Sequence, residues 1–200
     1  MMNIIANNCV GAMLYNVAGA QFNNPFMWSL VAPDDFIYLI NNFNGIRFEN
    51  VEPIDDNKLR VDSKIDVVFP HYKRGDNAEP VKIGSDVFCS RIREYTLDKW
   101  TARLKRMREL DEPPMFLISD RHNGTENGRY EFNDLSLVQT IDNPDCRILF
   151  IGVVDSPDLV PSPASAKDFI CIPVSSKSAA VGGIAKLIAK SGVVSADEND

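Results

Sequence analysis

Asn3-Ile4-Ile5-Ala6-Asn7-Asn8-Cys9-Val10-Gly11-Ala12-Met13-Leu14-Tyr15-Asn16-Val17-Ala18-Gly19 joins two different hydrophobic periods. Ile4-Ile5-Ala6 is a short apolar run of strand length. Val10, Met13, Leu14 and Val17 then recur at i, i+3, i+4 and i+7, the stripe of an amphipathic helix. Asn7 and Asn8 between them are residues that suit turns and helix starts. A strand, a tight turn and a helix are therefore predicted, with Cys9 in the helix's first turn. Unpaired N–H groups and the positive end of the helix dipole favour an anion there, so a thiol at that place is expected to ionise more easily. That setting suits a nucleophile; a small residue buried in the core is the alternative.

Outward from this unit, apolar runs and helical stripes alternate. Pro33-Asp34-Asp35 opens a helix, Phe36, Leu39, Ile40 and Phe43 form its buried stripe, and Asn44-Gly45 stops it. Ile46 to Phe69 reads as strands with a turn near Asp55-Asp56-Asn57, and Ile65–Phe69 is apolar enough for an inner strand. Lys73 to Gly84 is polar with Gly and Pro, as in an exposed insertion, and Asp86–Cys89 suggests a short strand. A helix is predicted over Thr96–Leu110, with Leu97, Trp100, Leu104 and Met107 buried and Lys99, Arg103, Lys105, Arg106 and Arg108 on the remaining surface.

Met115–Ser119 and Arg147–Val154 are two further inner strands, with a short helix between Phe132 and Ile141. Phe169–Val174 is a possible strand, Ser176–Lys190 an apolar helix, and 196–200 a frayed acidic tail. The alternation predicts a single α/β domain over 1–195, a sandwich with a largely parallel or mixed central sheet flanked by helices; 73–95 is an insertion in it.

Composition narrows the classes. The 200 residues are 44% hydrophobic and 24% charged, those of an ordinary globular chain long enough to bury a full core. A net charge of −7 argues against a nucleic-acid binder. No run approaches the ~18–20 apolar residues of a membrane span, and Met1-Met2-Asn3 lacks the basic start of a secretory signal. Cys9, Cys89, Cys146 and Cys171 are far apart and form no C-x-x-C pair, and the histidines are only His71 and His122. A cytoplasmic protein with reduced thiols, no bound metal and no cofactor is the expectation.

Three polar residues follow directly on hydrophobic strands: Cys9, His71 and Asp120. Sites in open α/β sheets gather beyond the carboxyl ends of strands. If the three strands are parallel neighbours, the groups meet at one rim as nucleophile, base and orienting carboxylate. Backbone N–H groups of the Cys9 helix, or the side chain of Asn7 or Asn8, could then hold an oxyanion. Trp28 and Tyr72 are aromatic candidates for lining a pocket, and Arg103 or Arg121 for holding a substrate phosphate or carboxylate. Taken singly, His71 reads equally well as a surface-loop residue and Asp120 as a turn residue.

In order along the chain stand Ile4–Gly11, Asn24-Pro25-Phe26, Asp35-Phe36-Ile37, Phe69-Pro70-His71-Tyr72, Lys99-Trp100 with Arg103 and Arg106, and Phe116–Asp120. This run, over about residues 1–155, resembles an uncharacterised bacterial family labelled exopolysaccharide biosynthesis proteins. It is similar, more faintly, to papain-like cysteine peptidases with an Asn-Cys opening, a Pro-Phe-x-Trp segment and a later His. The chain departs from the family in its longer stretch from Lys73 to Tyr95 and in having Val10 where an aromatic residue often follows the Cys. The resemblance implies a role in making surface glycans, with a small-molecule or glycan-precursor substrate. The leading expectation is thus a cysteine enzyme of acyl transfer or hydrolysis. The rivals are a glycan-pathway transferase with a nucleotide-activated donor, and a non-catalytic binding or scaffold protein. Against the transferase, there is neither a Gly-rich phosphate loop nor a D-x-D pair after a strand.

Overall fold

Hydrophobic runs that must hide both faces belong inside a parallel sheet, and such runs form the middle of this protein. The computed structural model describes residues 3–55, 58–69, 86–111 (86–96 for their backbone), 113–120, 130, 132–152, 157–174 and 188. In chain order the elements are β1 (Ile4–Ala6), α1 (Val10–Val17), β2 (Leu30–Val31), α2 (Pro33–Asn42), β3 (Val51–Asp55), β4 (Lys58–Val61), β5 (Ile65–Val68), α3 (Asp86–Arg108), β6 (Met115–Ser119), β7 (Asp142–Gly152) and β8 (Ser165–Pro173). Single 3-10 turns lie at Phe43–Gly45, Leu135–Thr140 and Pro157–Leu159.

One sheet has the order β1-β6-β7-β8 with every pair parallel. Its side chains alternate as the pleat demands. Ile4, Ala6, Met115, Leu117, Leu149 and Ile151 face Val10, Leu14 and Tyr15 of α1, with Ile188 in the same cluster. Ile5, Phe116, Ile118, Ile148 and Phe150 face the opposite way, onto α2, α3 and the second sheet. That second sheet, β2-β5-β4-β3, is antiparallel throughout. Leu59, Val61, Ile65 and Val67 turn inward, while Lys58 and Arg60 pair with Asp66 on the outer face. The result is the expected α/β sandwich, with a parallel sheet joined to an antiparallel one. The join runs through Asn7, whose carbonyl accepts the Val31 N–H at 2.9 Å.

Three expectations change. Asp86–Cys89 is the first turn of α3 rather than a strand, so the helix begins ten residues before Thr96. β5 is an inner strand, but of the antiparallel sheet, because the tight turn at Asp62-Ser63-Lys64 pairs it with β4. Arg103 leaves the charged face of α3 and is only 9% exposed. Residues 73–85 of the predicted insertion, most of the 176–190 helix and the acidic tail lie outside the described residues.

Helix α1 sits hard against β1. A Cβ on Gly11 would come 2.7 Å from the Ala6 Cβ, and neither atom can swing away. Gly→Ala within a helix ordinarily stabilises by about 1 kcal/mol, but overpacking of a rigid contact costs about 1–3. Gly11→Ala should therefore lower stability by up to about 2 kcal/mol in urea unfolding. A variant more stable than the parent by the full helix-propensity gain of about 1 kcal/mol would mean that helix and strand are not held this closely.

Candidate functional site

The carboxyl ends of β1 and β6 lie side by side, and the residues that follow them make a buried polar rim. Asn7 is fully buried. Its Nδ2 donates to the Ser119 carbonyl at 3.0 Å and its Oδ1 accepts the Ser119 N–H at 2.8 Å. With its own N–H on the Leu117 carbonyl, Asn7 extends the parallel ladder by a side chain where the backbone turns away. Asn8 caps the turn into α1: its Oδ1 accepts the Val10 N–H at 3.0 Å, and its Nδ2 reaches the Ser119 carbonyl at 3.4 Å. Both amides are committed to these bonds. An oxyanion at this rim would have to rely on backbone N–H groups of the first turn of α1, which helix geometry leaves without intrahelical acceptors.

Cys9 occupies the N-cap of α1, immediately before the first turn in which it was expected. It is 3% exposed, packed with Leu30, Val68 and Tyr130, with Trp28 and Ala32 against the same cluster. Its Sγ lies 4.0 Å from the Ser29 carbonyl oxygen. Burial pushes the thiol up from 9.0 to about 12, opposite to the direction the helix end suggested. The dipole at a helix start contributes about 0.3–1 kcal/mol to an anion, whereas removing a charge from water costs several, so desolvation wins.

Asp120 follows β6 directly and is half-buried, its N–H on the Ile151 carbonyl at 3.1 Å. A Cβ on Gly152 would sit 3.0 Å from the Asp120 Oδ2 and 2.5 Å from the Phe150 ring, so the glycine at the end of β7 makes room for both. Cys9 and Asp120 thus come from adjacent parallel strands. The third strand does not: β5 reaches the sulfur by way of β2, through the Leu30–Val68 pair. His71, Tyr72 and Arg121 lie outside the described residues.

Trp28 carries a left-handed φ of 60°, costly for a residue with a Cβ. Its ring meets Phe22 edge-on at 6.3 Å and packs on the Cys9 cluster. The loop that strains it is held by asparagines: Asn24 Nδ2 donates to the Ile4 carbonyl at 2.6 Å, and Asn24 Oδ1 accepts the Phe26 N–H. Phe26 itself belongs to the core, against Phe48 and Trp100. Arg103 donates from Nη1 to the Met27 carbonyl at 3.0 Å on the outer side of this loop.

Ser29, Tyr130 and Gly152 are rim residues that the sequence reading passed over. An isolated glycine closing the strongest strand was a usable signal of close approach. Among the described residues no three His, Cys, Asp or Glu side chains gather as a metal site would require, and no helix is long and apolar enough to cross a membrane. Cys9, Cys146 and Cys171 are free thiols.

No curated protein matches this sequence. The family model "Domain of unknown function (DUF1919)" matches residues 1–141, from the N-terminus to the residue before β7, and so takes in the whole antiparallel sheet and the Cys9 and Asp120 rim. The chain therefore belongs to that uncharacterised family.

Proposed function

We propose that the rim beyond β1 and β6 is a cysteine-nucleophile site for acyl transfer or hydrolysis, with Cys9 as nucleophile, His71 as base and Asp120 as the group that orients it. The observation that carries the reading is the seating of Cys9 and Asp120 at the ends of neighbouring parallel strands, with the end of β5 packed on the same sulfur. His71 follows Val68 by three residues, a chain reach of at most about 11 Å.

A sulfur this buried rests as a neutral thiol, so its proton must leave as attack proceeds. Imidazole takes that proton while sulfur bonds to the acyl carbon, and first-turn N–H groups meet the developing oxyanion. The imidazolium then gives the proton to the leaving group, and a thioester remains. Water or an alcohol, deprotonated by the same imidazole, attacks the thioester and restores the thiol. The resemblance to proteins labelled for exopolysaccharide biosynthesis suggests the acyl group of a surface-glycan precursor as substrate, handled in the cytoplasm.

Iodoacetamide labelling of Cys9, followed by mass spectrometry from pH 6 to 11, tests this. General-base assistance is worth about 10²–10⁴-fold, so His71→Ala should slow labelling at pH 7 by at least about 100-fold. Cys9→Ala should also abolish turnover of p-nitrophenyl acetate. Labelling indifferent to His71, and still climbing with pH at pH 11, would overturn the proposal.

The burial of the thiol favours one second reading, a non-catalytic rim in which Cys9 only packs between the two sheets. In that case Cys9→Ala would leave biological activity intact and cost only packing energy.

A further inference from the structure

The loop carrying Phe22 and the face of α3 opposite it border a hollow of about 230 Å³ that opens to the surface, lined by Gln21, Phe22, Lys99, Ala102, Arg103 and Arg106. Lys99, Arg103 and Arg106 stand at i, i+4 and i+7, so one helix face presents three cations to one space in a chain of net charge −7. Arg103 is nine-tenths buried, a place where a cation is ordinarily paired with a carboxylate. Its partners are instead the Met27 carbonyl and the face of the Phe22 ring, 5.5 Å from the guanidinium carbon. Arg106 donates from Nε to the Phe22 carbonyl at 2.8 Å. Among the described residues neither arginine pairs with a carboxylate, and Glu109, one turn beyond Arg106, forms no ion pair with it. Each arginine uses one of its five N–H donors in these bonds, so a fork of donors is held in place by carbonyls, with no carboxylate against it among the described residues.

We infer that this hollow is a binding site for a phosphoryl group, either inorganic phosphate or the phosphate of a sugar phosphate. A dianion matches the charge better than a carboxylate: two guanidinium groups and an ammonium group meet one ligand with three acceptor oxygens. Burial holds Arg103 down from 12.5 to about 10, with Arg106 adding to the effect, and an anion seated between them would reverse that shift. The bonds to the Phe22 and Met27 carbonyls fix the donors before the ligand arrives, which reduces the ordering that binding requires. The site stands whether or not Cys9 is a nucleophile.

Calorimetric titration of the full chain with inorganic phosphate and with glucose 1-phosphate, at fixed ionic strength in sodium chloride, tests the inference. Saturable binding is expected, weakened by about tenfold or more in Arg106→Gln and in Lys99→Gln, and partly recovered in Arg106→Lys. Lys99 is exposed on its helix, so its variant reports on the site even if Arg106→Gln loosens the loop. In the parent, the Arg103 side-chain ¹⁵Nε resonance should shift on saturation. Tighter binding of glucose 1-phosphate would mark the hollow as a subsite for a phosphorylated sugar, and equal or tighter binding of phosphate would mark it as a site for the free anion. Failure of both ligands to saturate, equal affinity in Lys99→Gln and the parent, or an unmoved Arg103 resonance would each overturn it.

Discussion

Asn7→Asp should leave the protein close to parental stability near pH 4 and lower it by about 3 kcal/mol or more at pH 7. The Asn7 amide gives one donor to the Ser119 carbonyl and takes the Ser119 N–H, both from a fully buried position. A protonated carboxyl reproduces both bonds, its O–H replacing the amide donor. A carboxylate keeps only the acceptor and aims its second oxygen at the Ser119 carbonyl, leaving a buried charge facing a like partial charge. The folded-state pKa of this aspartate is therefore raised above its unfolded value of about 3.9. Its contribution is fully present below that unfolded value and is lost as the pH rises through the folded value, at ~1.4 kcal/mol per unit. Asn7→Ala behaves differently: it strands the Ser119 N–H, while the Ser119 carbonyl keeps the Asn8 amide at 3.4 Å. Its cost, about 1–3 kcal/mol, should be the same at both pH values. Urea midpoints at pH 4 and pH 7, each taken relative to the parent, distinguish the two variants. An aspartate variant whose deficit is constant with pH would show that Asn7 does not clasp β6 in this way.

Much of the fold was legible because its signals are local. Ile4–Ala6, Met115–Ser119 and Arg147–Gly152 are continuous apolar runs, and both faces of that sheet are in fact covered. Pro33 with two acids, and Asn44-Gly45, bracket α2 closely. What failed was nonlocal or too short to show a period. Asp86-Val87-Phe88-Cys89 is four residues, equally compatible with a strand or a helical turn, and it begins α3. The three-strand rim required β5 to be a parallel neighbour of β1 and β6, and it is not. Asp66 at its centre already argued otherwise, since a strand covered on both faces has no place for a carboxylate that pairs with Lys58 and Arg60. At the rim, the residue types were legible and their energetics were not. Asn7 suggested a turn and proves to be a clasp, and Cys9 suggested an ionised thiol where burial dictates a neutral one. Both depend on which strand lies alongside, which no window of sequence contains.

Alkaline pH should unfold this protein steeply, and Cys9→Ala should change the shape of that loss. Burial raises the Cys9 thiol from 9.0 to about 12 and the Tyr15 phenol from 10.0 to about 12; the latter donates to Asn23 Oδ1 and accepts the Ile4 N–H. Groups raised in this way contribute stability that is fully present below their unfolded values and is lost as the pH climbs through the folded ones. By pH 11 the unfolded chain has gained about two units of ionisation free energy at Cys9 and one at Tyr15, together about 4 kcal/mol at ~1.4 per unit. That is a large part of the ~5–15 kcal/mol a domain has. At pH 8, Cys9→Ala should cost about 1–2 kcal/mol through lost packing. At pH 11 the alanine cannot ionise in the unfolded chain, so the deficit should vanish and turn into a gain of about 1 kcal/mol. Tyr15→Phe should show the same convergence, displaced upward by one unit. Urea unfolding of the three proteins at pH 8 and pH 11 measures it. The sign of the Cys9 trend also bears on the chemistry. A resting thiolate–imidazolium pair with His71 would instead hold as many protons as the thiol and neutral imidazole of the unfolded chain, so the Cys9→Ala deficit would then stay nearly flat as the pH rises from 7 to 9. A shrinking deficit requires the neutral thiol, and with it a mechanism in which the proton leaves only as the sulfur attacks.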